Sequence, residues 1–440
     1  MDNTLAYIDQ ASFLGFRALG HGPLIQLTWI YDHDVDLGAL HRFQRALAGG
    51  MLGRRVERSP LPFGRHRWVR WSGPESLDVS AVRRPRSEVP GWVEERLRMA
   101  VDPEYGPPWH LGVQPLDGGG AAVSLVVSHT VGDGVGITIA VAEAAAGVVR
   151  EPGYPAPASR PASGTLLADS RAVLRAMPEM GRAVVAAGRL ARDNRDDVTT
   201  SVRKAAPAAA SGQLVQVPSV TAYVGIADWD ECAGRLGGTS NSLFLGVAAR
   251  LGRLLGRVAP DGMVHLAVPV SERGDGDLRG NALTGITVTA DPDSVTSDLT
   301  GVRKAVKQAL TTLEDARNQL LAPLPLTPLI PRALARRLEG MALGDDVVIG
   351  CSNIGPLEPA ANRPDGSDAA CFAIRSVESR TTRADLHRLG GLLFLMSARV
   401  HGTVSVTFSY AGPSGDNSRD DLAETVRRVL ADFGLPGRVE

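Results

Sequence analysis

Lysine is nearly missing from this chain of 440 residues, occurring only at Lys204, Lys304 and Lys307, so the basic side is almost wholly arginine. Arginine favours bidentate contacts to carboxylates and other anions, although the bias itself reads mostly as codon composition. Charge excess is missing too. Lys+Arg 47 against Asp+Glu 48 gives a net charge of -1, which offers no global field for nucleic acid or an anionic membrane. Cysteine is scarce. Cys232, Cys351 and Cys371 are odd in number, lack C-x-x-C spacing and sit far from any histidine cluster, which argues against a disulfide framework or a zinc site and fits a reducing cytoplasm. No basic and apolar leader opens the sequence, so no signal peptide is expected. The longest apolar stretch, Ala121 to Val149, is broken by His129, Asp133 and Glu143, which a membrane-spanning helix rarely carries.

What remains is average globular material, 44% hydrophobic and 22% charged, in a chain too long for one ordinary core. Two domains are expected, at 1–150 and 213–440, with a linker and crossover helix at 151–212. The Pro/Ala/Ser-rich segments Glu151 to Gly164 and Lys204 to Gly212 read as linkers. Between them Leu166 to Arg192 reads as an amphipathic crossover helix with a solvated basic face, a membrane-surface role being the lesser reading. Leu24 to Tyr31 reads as a strand and the following residues, apolar at Leu37, Leu40, Phe43 and Leu47, as a helix. Arg65 to Trp71 reads as a strand, and Pro90 opens a helix. The second half offers strands near 214–227 and around MVHLAVPV, DVVIGCSN, CFAIRSV, LLFLMSARV and TVSVTFSY, with helices at NSLFLGVAARLGRLLG, between Val295 and Leu321, and at RDDLAETVRRVLADF. Both halves mix strand and helix without strict βαβ alternation, an α/β (α+β) pattern.

The chemistry-bearing stretch is SHTVGDGVG, Ser128 to Gly136. The continuous apolar run Ala121 to His129 is that of a strand buried on both faces. A turn with Gly132, Asp133 and Gly134 follows, and then a helix. His129 is thereby presented at a strand end, and Asp133 is placed to cap the helix. In isolation such a pair more often packs and caps than catalyses. The glycines do not form a dinucleotide fingerprint, and neither a Walker motif nor a G-x-S-x-G elbow is present.

SHTVGDG resembles the HHxxxDG motif of the CoA-dependent acyltransferase superfamily, which includes chloramphenicol acetyltransferase, nonribosomal peptide condensation domains and the wax ester synthase/diacylglycerol acyltransferase group. Further blocks resemble the wax ester synthase-like branch in order: DQASFL (Asp9 to Leu14), the run from Pro107 to His129, Thr239 to Gly256, Pro269 to Leu283 and CSNIGPL (Cys351 to Leu357). The resemblance implies two chloramphenicol-acetyltransferase-like α/β sandwich domains with the active-site tunnel between them. It makes His129 the general base of a direct acyl transfer, with Asp133 turned away to pair with an arginine. Arg54 and Arg55 are the first candidates for that partner and Arg273 the second, while Gly134 allows close backbone approach.

Ser128 stands where the motif has its first histidine, which leaves room for a changed substrate or a non-standard reaction. Ser352, Asn353, Asn281 and Ser128 are candidates for substrate or oxyanion contacts, the first three being otherwise polar turn residues, and Trp109 reads as a packed aromatic. The expected donor is a thioester on CoA or on an acyl carrier protein, and the acceptor a small-molecule hydroxyl, with an amine second. No metal or other cofactor, no nucleic acid and at most peripheral membrane contact are expected, in a monomeric cytoplasmic protein. Neutral charge and the lack of a long hydrophobic surface segment favour a freely soluble enzyme of specialised metabolism over one bound to lipid. The different-class alternative is a catalytically silent module that binds a carrier protein.

Overall fold

The computed structural model describes residues 3–193, 212–335 and 348–440; most of the expected linker Lys204 to Gly212 lies outside them. The first half runs α1 (Tyr7–Leu19), β1 (Pro23–Tyr31), α2 (Leu37–Gly49), β2 (Arg54–Glu57), β3 (Arg67–Arg70), β4 (Asp78–Val79), α3 (Val89–Leu97), β5 (Trp109–Pro115), β6 (Ala121–Ser128) and α4 (Gly134–Ala145), followed by the long α5 (Ala162–Asp193). The second half runs β7 (Ser219–Gly225), α6 (Ile226–Arg235), α7 (Ser240–Leu254), β8 (Val264–Ser271), β9 (Leu283–Ala290), α8 (Thr300–Leu321), β10 (Ile349–Pro356), β11 (Cys371–Glu378), α9 (Arg383–Arg388), β12 (Leu392–Val400), β13 (Thr403–Ala411), α10 (Arg419–Phe433) and β14 (Gly437–Val439).

Two sheets carry two cores. In the first, of order β11-β1-β6-β5-β4, β6 is buried along its whole length. Alternation divides it: Val123, Leu125 and Val127 pack with Leu40 and Phe43 of α2 and Ile137 and Val141 of α4, while Ala122 on the other face joins Trp92 of α3. A strand buried on both faces has little use for polar alternation, which explains its apolar run; the exception within it, Ser124, accepts from Gln26 Nε2 at 2.8 Å. The second sheet, of order β14-β7-β13-β12-β10-β8-β9, is covered by α7 and α10 through Phe244, Leu245, Val426 and Val429, which pack on Val220, Leu266, Leu395 and Phe408. No described helix is long and apolar enough to cross a membrane.

The halves are not closed units. β11, which the sequence places among the strands of the second half, crosses over and pairs antiparallel with β1, setting Phe372 opposite Trp29 and Arg375 opposite Gln26. Its neighbours in the chain, β10 and β12, pair with each other in parallel in the second sheet. The expected boundary at 150 and 213 therefore separates the sheets except for this strand. Strand boundaries also shift: the strand expected from Leu214 begins at Ser219, and Leu214 makes only an isolated bridge to Thr382.

Candidate functional site

β6 ends at Ser128, which is buried and whose hydroxyl accepts from the Thr130 amide at 3.4 Å. The next residue, His129, donates its backbone N–H to the Pro23 carbonyl at 3.0 Å, so the turn stays tied to β1. Asp133 then caps α4, its Oδ1 accepting from the Gly136 amide at 2.7 Å. Strand end, turn and cap follow the pattern read from the sequence.

The decisive partners come from the segment between β8 and β9. His129 Nδ1 lies 2.9 Å from Oδ1 of the buried Asn281. Asp133 Oδ2 accepts from Arg273 Nη2 at 2.8 Å and from the Ala282 amide at 2.8 Å. Arg273 in turn donates to the carbonyls of Asp277, Arg279 and Gly280, each at 3.0 Å. Both side chains of this ion pair are buried, the situation in which removing one partner strands the other charge. The pair thus holds both flanks of Asn281.

Arg273, the second candidate, is the arginine that meets Asp133; Arg54 and Arg55 are not. Arg54 has its guanidinium carbon over Trp68, 4.3 Å from the ring centre, and donates to the Val131 carbonyl at 2.6 Å and the Tyr154 hydroxyl at 2.7 Å. It supports the motif turn from beneath. Arg55 points away, donating to the carbonyls of Glu104 and Tyr105.

Asp9, which entered the sequence reading only as part of a matching block, completes the arrangement. Fully buried in α1, it accepts from the Gly280 amide at 2.9 Å, the Asn281 amide at 2.6 Å and Asn281 Nδ2 at 3.2 Å. Burial pushes its carboxyl above the usual value, while Arg54 and these donors pull the other way. Among the described residues only N–H groups donate to it, the surroundings of an ionised carboxylate that can accept but not donate. Asn281 must therefore turn its amide nitrogen to Asp9 and its oxygen to His129. An oxygen facing Nδ1 requires a proton on Nδ1 and leaves the lone pair on Nε2. The signal for Asp9 was available in DQASFL only as a buried acid in an apolar helix.

Gly134 is close-packed, though by side-chain ends and not by backbone: a Cβ there would lie 2.6 Å from Ile354 Cδ1 and 2.9 Å from Met396 Cε. Gly280 is tighter in kind, since a Cβ would meet Asp9 Oδ1 and the Thr130 carbonyl oxygen, both at 2.9 Å. Asn353 ties β10 to α7 and β12, donating to Asn241 Oδ1 at 3.0 Å and accepting from Ser397 Oγ at 2.9 Å, and it also accepts from the Gly355 amide at 3.0 Å. Asn353 is thus a strand residue within β10 rather than part of a polar turn after the strand. Ser352, beside it on β10, is half-buried. Trp109 is a packed aromatic, edge-on to Trp71 and donating to the Leu52 carbonyl at 3.0 Å.

A cavity of about 820 Å³ separates the sheets, with Gln26, Thr28 and Arg375 on one wall and Ser219, Thr221 and Thr407 on the other. His129, Asp133 and Asn281 do not line it. It opens on the face of the first sheet that also carries Ser128, because Ser128 pairs with Leu24, two residues before Gln26 on β1.

No family model and no curated protein matches the sequence. Solved structures do. The chain is similar to the first condensation domain of the calcium-dependent antibiotic synthetase in complex with a substrate analogue, at 16% identity over 98% of this chain and 96% of that one, with a TM-score of 0.59. The chain shares the two-lobed, mixed α/β fold of that structure. Within that fold it is also similar to polyketide synthase associated protein 5 from Mycobacterium tuberculosis, at 15% identity over 97% of each chain and a TM-score of 0.55. The wax ester synthase/diacylglycerol acyltransferase from Marinobacter aquaeolei VT8 matches at 16% identity over 98% of each chain, with a TM-score of 0.54. Condensation-like and wax-ester-synthase-like chains thus share this architecture, as the ordered sequence blocks implied.

Proposed function

We propose that the protein is an acyltransferase that moves an acyl group from a thioester, on CoA or a carrier protein, to a hydroxyl acceptor. The observation that carries the reading is the hydrogen-bonded line Asp9, Asn281, His129, which fixes one tautomer of a histidine at a strand end. In this reading Nε2 of His129 takes the acceptor's proton while its oxygen attacks the thioester carbonyl. The tetrahedral intermediate then collapses, the C–S bond breaks, and the imidazolium returns the proton to the departing thiolate. Atoms and charge balance without an acyl-enzyme. An amine acceptor would follow the same course and form an amide.

Asp133 and Arg273 contribute architecture, since both are turned from the imidazole and hold the segment that carries Asn281. The condensation domain and the wax ester synthase among the similar structures bear names that fit acyl transfer to different acceptors. The test is product analysis by mass spectrometry, incubating the protein with a panel of acyl thioesters and of alcohol and amine acceptors. An ester formed by the wild type and missing with His129→Ala supports the reading. Binding of thioesters without ester or amide from any acceptor would replace it with a silent carrier-binding module.

A further inference from the structure

α5 touches the rest of the molecule along one narrow face. Thr165 and Ala183 are buried there, Asp169 accepts from the Ser59 hydroxyl at 2.5 Å and Glu179 from the Tyr7 hydroxyl at 3.0 Å. Turned outward are Leu166, Leu167, Leu174, Met177, Val184 and Val185, each between 47% and 64% exposed. With about 3.6 residues per turn these six fall within a stripe roughly 100° wide. The sequence reading expected a solvated basic face here and no long hydrophobic surface segment; the helix in fact shows both an apolar stripe and a basic edge.

The edge is what selects a partner. Arg171, Arg175, Arg182 and Arg189 are all exposed and follow one another along the same flank of the stripe. Asp169 and Glu179 are engaged by the protein body, so between Leu166 and Arg189 the charge beside the stripe is that of the arginines. None of the four arginines pairs with a described carboxylate. In a chain whose net charge is -1, this concentration is local. A convex apolar stripe bordered by arginine is the form of a helix lying in a membrane interface, with its leucines among the upper acyl chains and its guanidiniums at the phosphates. An acidic protein partner would need a matching groove for a stripe that spans most of a helix of 32 residues, whereas a bilayer conforms to it.

We propose that α5 docks the protein on an anionic phospholipid surface, in the plane of the headgroups. The inference stands apart from the acyl-transfer reading, since none of its residues contacts His129, Asn281 or Asp133. It is tested by co-sedimentation of the full chain with vesicles of phosphatidylcholine and phosphatidylglycerol at 3:1, and with vesicles of phosphatidylcholine alone.

Two variants are compared with the wild type: Leu167→Ser/Leu174→Ser/Val185→Ser, and Arg171→Gln/Arg175→Gln/Arg182→Gln/Arg189→Gln. Circular dichroism and the thermal midpoint check that each remains folded. The wild type should partition onto the anionic vesicles, and each variant should lose at least about tenfold in partitioning, the arginine variant with loss of the preference for anionic lipid. Absence of vesicle binding by the wild type, or binding unchanged in the folded serine variant, overturns the proposal. Concentration-dependent self-association abolished by the serine variant, without vesicle binding, would reassign the stripe to an interface between copies.

Discussion

Asp9 and Asn281 stand 272 positions apart in the chain, yet one oxygen of Asp9 accepts both the backbone and the side-chain N–H of Asn281, at 2.6 Å and 3.2 Å. The double contact leaves the amide of Asn281 one orientation, and that orientation sets the proton on the imidazole of His129.

Asp9→Asn should therefore act on turnover. With a side-chain amide at position 9, Asn281 is free to flip and present its nitrogen to His129, which favours the tautomer whose Nε2 is already protonated and cannot accept. We expect kcat to fall by at least about tenfold while KM changes little. A variant that keeps wild-type kcat would show that the Asp9 contact is scaffolding alone.

His129→Ala should leave a folded protein and lower acyl transfer by about a hundredfold or more, the scale of a general base. Single-turnover kinetics with a thioester donor measure it, and near-normal turnover would remove His129 from the mechanism.

Asp133→Asn leaves the buried guanidinium of Arg273 without its counter-charge, a loss of roughly 3 to 5 kcal/mol in stability. A double-mutant cycle in urea should show coupling of Asp133 to Arg273 and little to Arg55. Equal coupling to both would contradict the arrangement.

Two glycines of the site should differ in tolerance. At Gly134 the new methyl meets the far ends of Ile354 and Met396, which can move aside, so Gly134→Ala should cost about 1 kcal/mol and be relieved by Ile354→Val. At Gly280 it meets a backbone carbonyl and the Asp9 carboxylate. Gly280→Ala should cost more in stability and depress turnover as well, and the reverse order of effects would refute the comparison.

Stability should fall in mild acid. Burial, helped by Arg58 beside His66 and Arg96 beside His110, pulls both imidazoles down to about 4. Both are buried and remain neutral in the native state where the unfolded chain binds protons. Below the unfolded pKa of about 6.5 the unfolded state is favoured, each histidine adding up to about 1.4 kcal/mol per pH unit until the folded value is reached. Urea titrations at pH 7, 6 and 5 should show the decline, and a less steep one with His110→Gln.

The sequence reveals Ala121 to Ala145 well because everything needed is local. An apolar run, a glycine turn and a capping aspartate specify strand, turn and helix without reference to the rest of the chain. The partner of Asp133 is a different matter. Arg54, Arg55 and Arg273 are equivalent as symbols, and only tertiary placement sends Arg54 to Val131 and Arg273 to Asp133. CFAIRSV likewise reads as a strand, but its composition says nothing of which sheet will take it. Asn281 is visible as a polar residue in RGNAL, whereas its meaning depends on Asp9, from the opposite end of the chain.

The crossover of β11 bears on how the chain reaches its native state. Arg375 donates to Gln26 at 2.8 Å across a separation of 349 residues, so the first sheet closes only after most of the polypeptide has been made. Until then one edge of β1, a strand of Leu, Ile and Trp, has no ladder partner, and an unpaired apolar edge recruits other chains. The first 150 residues are thus an incomplete folding unit during synthesis, dependent on the second lobe for their last strand.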